Sequence, residues 1–138
     1  MWQIDQYPMN SADLPHLVVG ACMNVHGALG PGLTREAYEE CLAVELRGLE
    51  LPFERGRPLC FEYRGHQITG AARLDLVVDE VLLVQVHAAD PLPGLERQKM
   101  ETLLRLGGIK SGLLVNFHVP VMRKGIERFT LKRREADP

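Results

Sequence analysis

Apolar positions along the first third of the chain recur at the three-and-four spacing of an amphipathic helix. Leu14, Leu17, Val18, Ala21, Cys22, Val25, Ala28 and Leu29 form one such stripe. Ser11 or Asp13 can cap this helix, and Pro15 is tolerable in a first turn whose N–H groups lack partners anyway. Gly30-Pro31-Gly32 ends it. A second helix is predicted from near Thr34 to Arg47, stopping at Gly48, with Tyr38, Cys41, Leu42, Leu46 and Leu49 turned inward. Arg35 lies three residues before Tyr38 and points to the same face, whereas Glu36, about 100° further round, points elsewhere.

After Pro58 the period changes from helical to alternating. Leu59 to Tyr63 and His66 to Thr69 read as a hairpin around Arg64-Gly65. Ala71 to Val78 and Val81 to Ala88 read as a second strand pair, with Val81 to Val84 apolar throughout, as in a strand covered on both faces. Ala89 to Gly94 is a proline-containing loop, and Leu95 to Leu106 a helix closed by Gly107-Gly108. Gly112 to Phe117 is another buried strand, so strand, helix, strand predicts a right-handed parallel crossover. Gly125 to Leu131 adds an edge strand, followed by a polar tail at 132–138. The fold class is therefore α/β, one domain over 1–138, with a central mixed sheet flanked by helices.

Composition narrows the class without changing it. At 138 residues the chain can bury one continuous core, and 46% apolar with 25% charged residues is an ordinary globular balance. A formal charge of −2 argues against a general electrostatic grip on nucleic acid and leaves room only for a local patch. Cys22, Cys41 and Cys60 are odd in number and contain no CxxC pair, so buried thiols in a reducing compartment are favoured over a disulfide or zinc site. No signal peptide pattern and no bilayer-spanning apolar run is present, which makes the cytoplasm the expected location and a membrane partner unexpected. Glycine-rich phosphate loops, nucleophile elbows and dinucleotide fingerprints are missing, since Gly30-Pro31-Gly32 separates two helices.

One constellation carries chemistry. A three-residue loop, Asp79 to Val81, would set Val78 opposite Leu82, Asp75 opposite Gln85 and Arg73 opposite His87. Alternation would then put all four polar residues on one sheet face, beside the helix that carries Arg35. Asp75 in an otherwise apolar strand is costly without a partner.

The blocks Val25-His26, Leu29-Gly30-Pro31-Gly32, Tyr38-Glu39, Arg73-Leu74-Asp75 and Gly112-Leu113-Leu114-Val115-Asn116-Phe117 resemble the GxxExxY proteins of the PD-(D/E)XK nuclease superfamily. The likeness runs from about Val18 to about Leu131. It implies a restriction-endonuclease-like core and an ancestral site in which an Asp and a Glu ten residues on hold Mg²⁺, while a Lys two further and the metal prepare a water and a helical Glu assists. Here the Asp position is Asp75, the Glu position Gln85, the Lys position His87 and the helical Glu position Arg35. A Gln that the family places on the following helix corresponds to Lys99, or to Gln98 if the loop differs by one residue.

Two carboxylates are thus gone, one of them replaced by a cation. At an effective dielectric near 20, a unit charge about 5 Å from a divalent ion contributes roughly 6–7 kcal/mol, an upper-end figure. Gln85 alone is a weak Mg²⁺ ligand, and His87, with a reference pKa near 6.5, is no dependable substitute for a lysine cation. The expectation is a former metal site turned into a protein-only polar network, with Asp75 paired to Arg35 or Arg73. Tyr38 is expected in the core with a bonded hydroxyl, His26 at the helix end, and no metal or other cofactor.

Arg123, Lys124, Arg128, Lys132, Arg133 and Arg134 gather positive charge near the C-terminus. A solvated edge is the simpler account, with Lys132, Arg133 and Arg134 the candidate phosphate contacts otherwise. The leading reading is a catalytically degenerate nuclease-fold protein acting by binding or assembly. One alternative is a divergent nuclease using Asp75, the Gln85 carbonyl and His87 with Mg²⁺ or, given the imidazole, Mn²⁺. The other is a structural or oligomeric module without nucleic-acid contact. The sequence names no partner; nucleic acid and a homo-oligomer both stay open.

Overall fold

The computed structural model describes residues 13–131. Ser11 and the basic trio Lys132, Arg133 and Arg134 lie outside these residues. The elements run α1 (Leu14–Leu29), α2 (Arg35–Gly48), β1 (Phe53–Pro58), β2 (Phe61–Tyr63), β3 (His66–Ile68), β4 (Arg73–Val78), β5 (Leu82–His87), α3 (Leu95–Gly107), β6 (Ser111–Asn116), a 3-10 turn (Met122–Gly125) and β7 (Ile126–Thr130). A five-stranded mixed sheet has the order β1-β4-β5-β6-β7, and β2-β3 stand apart as a hairpin. The β5–β6 pair is parallel, bridged by α3, and the other pairs are antiparallel.

The sheet separates two apolar layers. On one face α1 and α2 pack Val18, Cys22, Val25, Tyr38, Leu42 and Leu46 onto Leu76, Val78, Leu82, Val84 and Val86. On the other, α3 packs Met100, Leu103 and Leu104 onto Leu74, Val77, Leu83 and Leu114. That two-sided burial is why β5 and β6 read as apolar without alternation. Each fully buried Leu of this kind contributes on the order of 1.5–3 kcal/mol of transfer free energy.

Several local features follow from sequence. Thr34 Oγ1 caps α2 by accepting from Ala37 N–H. Asp13 occupies the cap position of α1 but makes no side-chain capping bond, and Pro15 sits in the first turn. Arg64 (φ 49°) and Gly65 (φ 81°) form the two-residue turn that pairs Tyr63 with His66.

Strand β1 had no counterpart in the apolar pattern. Its sequence Phe-Glu-Arg-Gly-Arg-Pro neither alternates nor runs apolar, because it is an edge strand whose side chains are partly or fully exposed. Its pairing with β4 sets Arg55 opposite Leu76 and Arg57 opposite Leu74. In α2, Leu49 is exposed and Cys41 only half-buried, while Glu39, absent from the expected stripe, is buried. No helix among the described residues is long and apolar enough to cross a membrane.

Candidate functional site: an arginine–carboxylate network at a strand fork

Strands β4 and β5 are joined by Asp79, Glu80 and Val81, and Val78 faces Leu82, the register expected of a three-residue loop. The ladder continues through Val77–Leu83 and Leu76–Val84 and then gives way to side chains. Asp75 N–H donates to Gln85 Oε1 at 2.7 Å, and Gln85 Nε2 donates to Arg73 O at 3.2 Å. Val86 N–H donates to Asp75 Oδ2 at 2.9 Å. Two polar side chains thus replace ladder bonds and hold the strands as a fork.

The fork alters the expected geometry. Leu74 and Val77 both pack toward α3, whereas Leu76 and Val78 pack toward α1 and α2. Strict alternation is therefore broken at Asp75, whose carboxylate lies between the strands. Gln85 and His87 alternate with Val84 and Val86 and so face α3, while Arg73 turns to α2. The four residues surround one opening instead of projecting from a single sheet face.

Arg35 reaches the fork from the first turn of α2. Its Nε donates to Val86 O at 3.0 Å and its Nη2 lies 3.1 Å from Asp75 Oδ2. The same Nη2 also donates to Glu39 Oε1. Arg73 Nη1 donates to Asp75 Oδ1 at 2.6 Å and to Glu39 Oε1 at 2.8 Å, and Arg73 Nη2 donates to Glu39 Oε2 at 2.9 Å. Arg55 Nε closes the set on Glu39 Oε2 at 2.6 Å.

Glu39 is the hub that sequence reasoning missed. It is 1% exposed and holds three guanidinium groups. Burial alone pushes its carboxyl pKa up; the hydrogen bonds from Arg73, Arg55 and Arg35 outweigh that and bring it down to about 2. The same partnership raises the pKa of Arg73, chiefly through its bonds to Glu39. A signal for Glu39 existed: it stands four residues after Arg35 and three before Leu42, so helix geometry puts it beside both. Arg55 was missed with its strand. Gly56, at φ 73°, lets the Arg73 guanidinium pass over β1, since a Cβ there would sit 3.3 Å from Arg73 Nη2.

The remaining candidates divide. His87 lines the opening with its Nε2 3.5 Å from Glu96 Oε1 of α3. Desolvation lowers its pKa, against the pull of the Glu96 and Asp75 charges, so the ring is neutral near pH 7. Lys99 lines it as well and donates to Glu96 Oε2 at 3.1 Å, whereas Gln98 is exposed on α3 and is not among the lining residues. Tyr38 stacks on Phe117 at 4.5 Å between ring centroids, and its hydroxyl accepts from Leu33 N–H and donates to Gly30 O. It fastens the Gly30-Pro31-Gly32 turn and takes no part in the fork. His26, expected to fix the end of α1, does something else: its Nε2 donates to Val119 O at 2.8 Å, tying α1 to the segment after β6. The helix end is closed by the Gly30 N–H bonding to His26 O.

The fork and α3 enclose a cleft of about 310 Å³. Arg35, Arg73, Asp75, Gln85, His87 and Lys99 are at its wall, with Met100, Leu103 and Leu114 beneath. Divalent metal chemistry needs carboxylate oxygens directed at a shared point. Both oxygens of Asp75 and of Glu39 accept from guanidinium or backbone N–H groups, and the Gln85 carbonyl accepts from Asp75 N–H. The donor set does not fit a divalent ion. Among the described residues, no group of three His, Cys, Asp or Glu side chains is arranged to hold a metal.

Comparison with curated proteins and with solved structures gives no match. A family model does match, over residues 12–129, a span that takes in α1, the whole network and all but the last residue of β7. The strand–helix–strand core, the fork at Asp75 and this match agree, and the chain belongs to the PD-(D/E)XK nuclease superfamily.

Proposed function

We propose that this protein is a catalytically degenerate member of the superfamily, in which an arginine–carboxylate network stands where a metal centre would be, and that it acts by binding. The observation that carries the reading is the saturation of Asp75. Arg73 occupies Oδ1, while Val86 N–H and Arg35 share Oδ2. To bind a divalent ion, Asp75 would have to release two guanidinium groups, and the ion would gain one carboxylate for its desolvation. Leaving buried charges uncompensated costs about 3–5 kcal/mol, which one carboxylate–metal contact does not offset.

The positions beside it support the same reading. Gln85 spends its amide on the two backbone groups that the fork leaves unpaired, so its oxygen is already in use. His87 is neutral and packed against Glu96, so it supplies no fixed cation to activate a water. Cys22, Cys41 and Cys60 are free thiols, which goes with a reducing compartment such as the cytoplasm.

Two measurements test the proposal together. Calorimetric titration with Mg²⁺, and separately Mn²⁺, should show no saturable event in the low millimolar range, and duplex or single-stranded DNA should stay intact with either ion. A stoichiometric isotherm abolished by Asp75→Ala, or cleavage abolished by the same change, would overturn it in favour of a divergent nuclease using Asp75 and His87.

A further inference from the structure

We propose that residues 1–12 fold back over the free edge of β7 and the first turn of α1, with the Asp5 carboxylate held by Arg128. Strand β7 is the last strand of the sheet, and its outer edge has no partner among the described residues. Arg128 stands opposite Leu113, so it lies on the sheet face that α1 and α2 cover. Its Nε and Nη1 are buried and bond to no acceptor among the described residues. The adjacent carboxylate does not serve it, since Glu127 stands opposite Leu114 on the α3 face and accepts from Arg97 Nε at 2.6 Å. A buried guanidinium is kept with a counter-charge, and the described residues do not supply one here.

A second unpaired group lies at the start of α1. Asp13 Oδ2 is buried without a donor among the described residues, and its side chain does not cap the helix. Further along α1 the outward residues Gly20, Met23, Asn24 and Gly27 are exposed, yet none of Asp13 to Leu17 is. The two groups belong to one end of the molecule. His26 ties the far end of α1 to Val119, beyond the C-terminal end of β6, so α1 begins toward the end where Ser111 pairs with Thr130. Residues 1–12 leave from there. Their reach is ample: the chain from Asp13 back to Asp5 spans up to about 25 Å when extended, while Arg128 sits about 7 Å from Thr130 along β7.

Charge and composition favour this segment over the other terminus. Asp5 is the only charged side chain among residues 1–12, and Gln3, Gln6, Asn10 and Ser11 bring donors for Asp13. Trp2, Ile4, Tyr7 and Met9 offer apolar surface to Leu131, which is 37% exposed at the end of β7. The chain after Leu131 instead opens with Lys132, Arg133 and Arg134, which Arg128 repels.

Trp2 is the only tryptophan in the chain, so its fluorescence reports the segment directly. Acrylamide quenching of the full chain is compared with Asp5→Asn, Arg128→Gln and the reversed pair Asp5→Arg with Arg128→Asp, each checked for folding by far-ultraviolet circular dichroism. Asp5 lies outside the described residues, so Asp5→Asn leaves the packed core alone and decides the matter even where Arg128→Gln fails to fold. In the native parent, Trp2 should emit further to the blue and quench severalfold less readily than in urea. Each single variant should lose that shielding, and the reversed pair should regain it. By NMR, exchange of the Arg128 Nε–H should be at least about tenfold slower in the parent than in Asp5→Asn, equivalent to about 1.4 kcal/mol of pairing. Trp2 as accessible in the native parent as in urea overturns the inference, as does shielding or exchange that Asp5→Asn leaves unchanged. Exchange that responds instead to Asp13→Asn assigns Arg128 to Asp13, and a response to Glu135→Gln or Asp137→Asn assigns it to the chain after Leu131; both overturn the inference. Shielding that grows with protein concentration places the segment on a second copy and overturns the intramolecular docking.

Discussion

Glu39→Gln removes the charge of the hub and almost none of its volume. The carboxyl pKa lies at about 2, against an ordinary value of 4.5, because the bonds from Arg73, Arg55 and Arg35 outweigh the cost of burial. A tenfold change in proton affinity is worth about 1.4 kcal/mol, so the ionised hub contributes about 3 kcal/mol near neutrality. The residue is 1% exposed but its arginine partners are 30–47% exposed, so solvent screening makes about 3 kcal/mol an upper figure. It agrees with the usual 3–5 kcal/mol for breaking a buried ion cluster on one side.

The sign follows from the depressed pKa. Stability is fully present above the unfolded value of about 4.5 and drains away as pH falls toward 2. Urea denaturation followed by far-ultraviolet circular dichroism should place the variant up to about 3 kcal/mol below the parent at pH 7. The same comparison at pH 3 should show about 1 kcal/mol, because the unfolded carboxyl is then protonated. In a thermal scan at pH 7 the midpoint should drop by roughly 10–15 °C. A gap under about 0.5 kcal/mol at pH 7, or a gap that does not change with pH, would refute the reasoning.

Two further outcomes are expected. By proton NMR the His87 ring should titrate below the reference value near 6.5, since desolvation outweighs Glu96 and Asp75; a midpoint above that value would contradict its placement. Of the three thiols, Cys60 is exposed, Cys41 half-buried and Cys22 fully buried with a pKa pushed up to about 12 by desolvation. A thiol reagent at pH 8 should therefore modify Cys60 first and Cys22 only on unfolding, and rapid native labelling of Cys22 would contradict the packing of α1.

How far the sequence reached depends on what each residue packs against. The three helices and the strands β4, β5 and β6 were legible because each buries a face, and burial imposes an apolar period. Val78 opposite Leu82 is the register of a three-residue loop, which the structure has; a two-residue loop would have shifted it by one and scattered the polar residues. Strand β1 left no such trace, because after Phe53, which packs against the core, this edge strand carries Arg55, Gly56 and Arg57 and makes its contacts through guanidinium groups. Glu39 stayed hidden for a related reason. A carboxylate within the α2 stripe looks like a solvated position until three arginines from α2, β1 and β4 are known to converge on it, and two of these come from elsewhere in the chain. Alternation placed Arg73, Asp75, Gln85 and His87 near one another but could not foresee the fork, since the loss of ladder bonds arises from side chains competing with backbone.

The central claim is that charge inventory, not fold, keeps metal out of the fork. Calorimetric Mg²⁺ titration of the triple variant Arg35→Glu, Gln85→Glu, His87→Lys beside the parent tests it most directly. The triple change removes one guanidinium from Asp75 and Glu39, adds two carboxylates facing the opening, and puts a fixed cation beside them. These positions act as a unit, so single changes should do little. The account predicts a saturable, roughly stoichiometric Mg²⁺ isotherm in the triple variant and none in the parent. A parent that already binds Mg²⁺ with the same stoichiometry, or a folded triple variant that binds it no better, would contradict it.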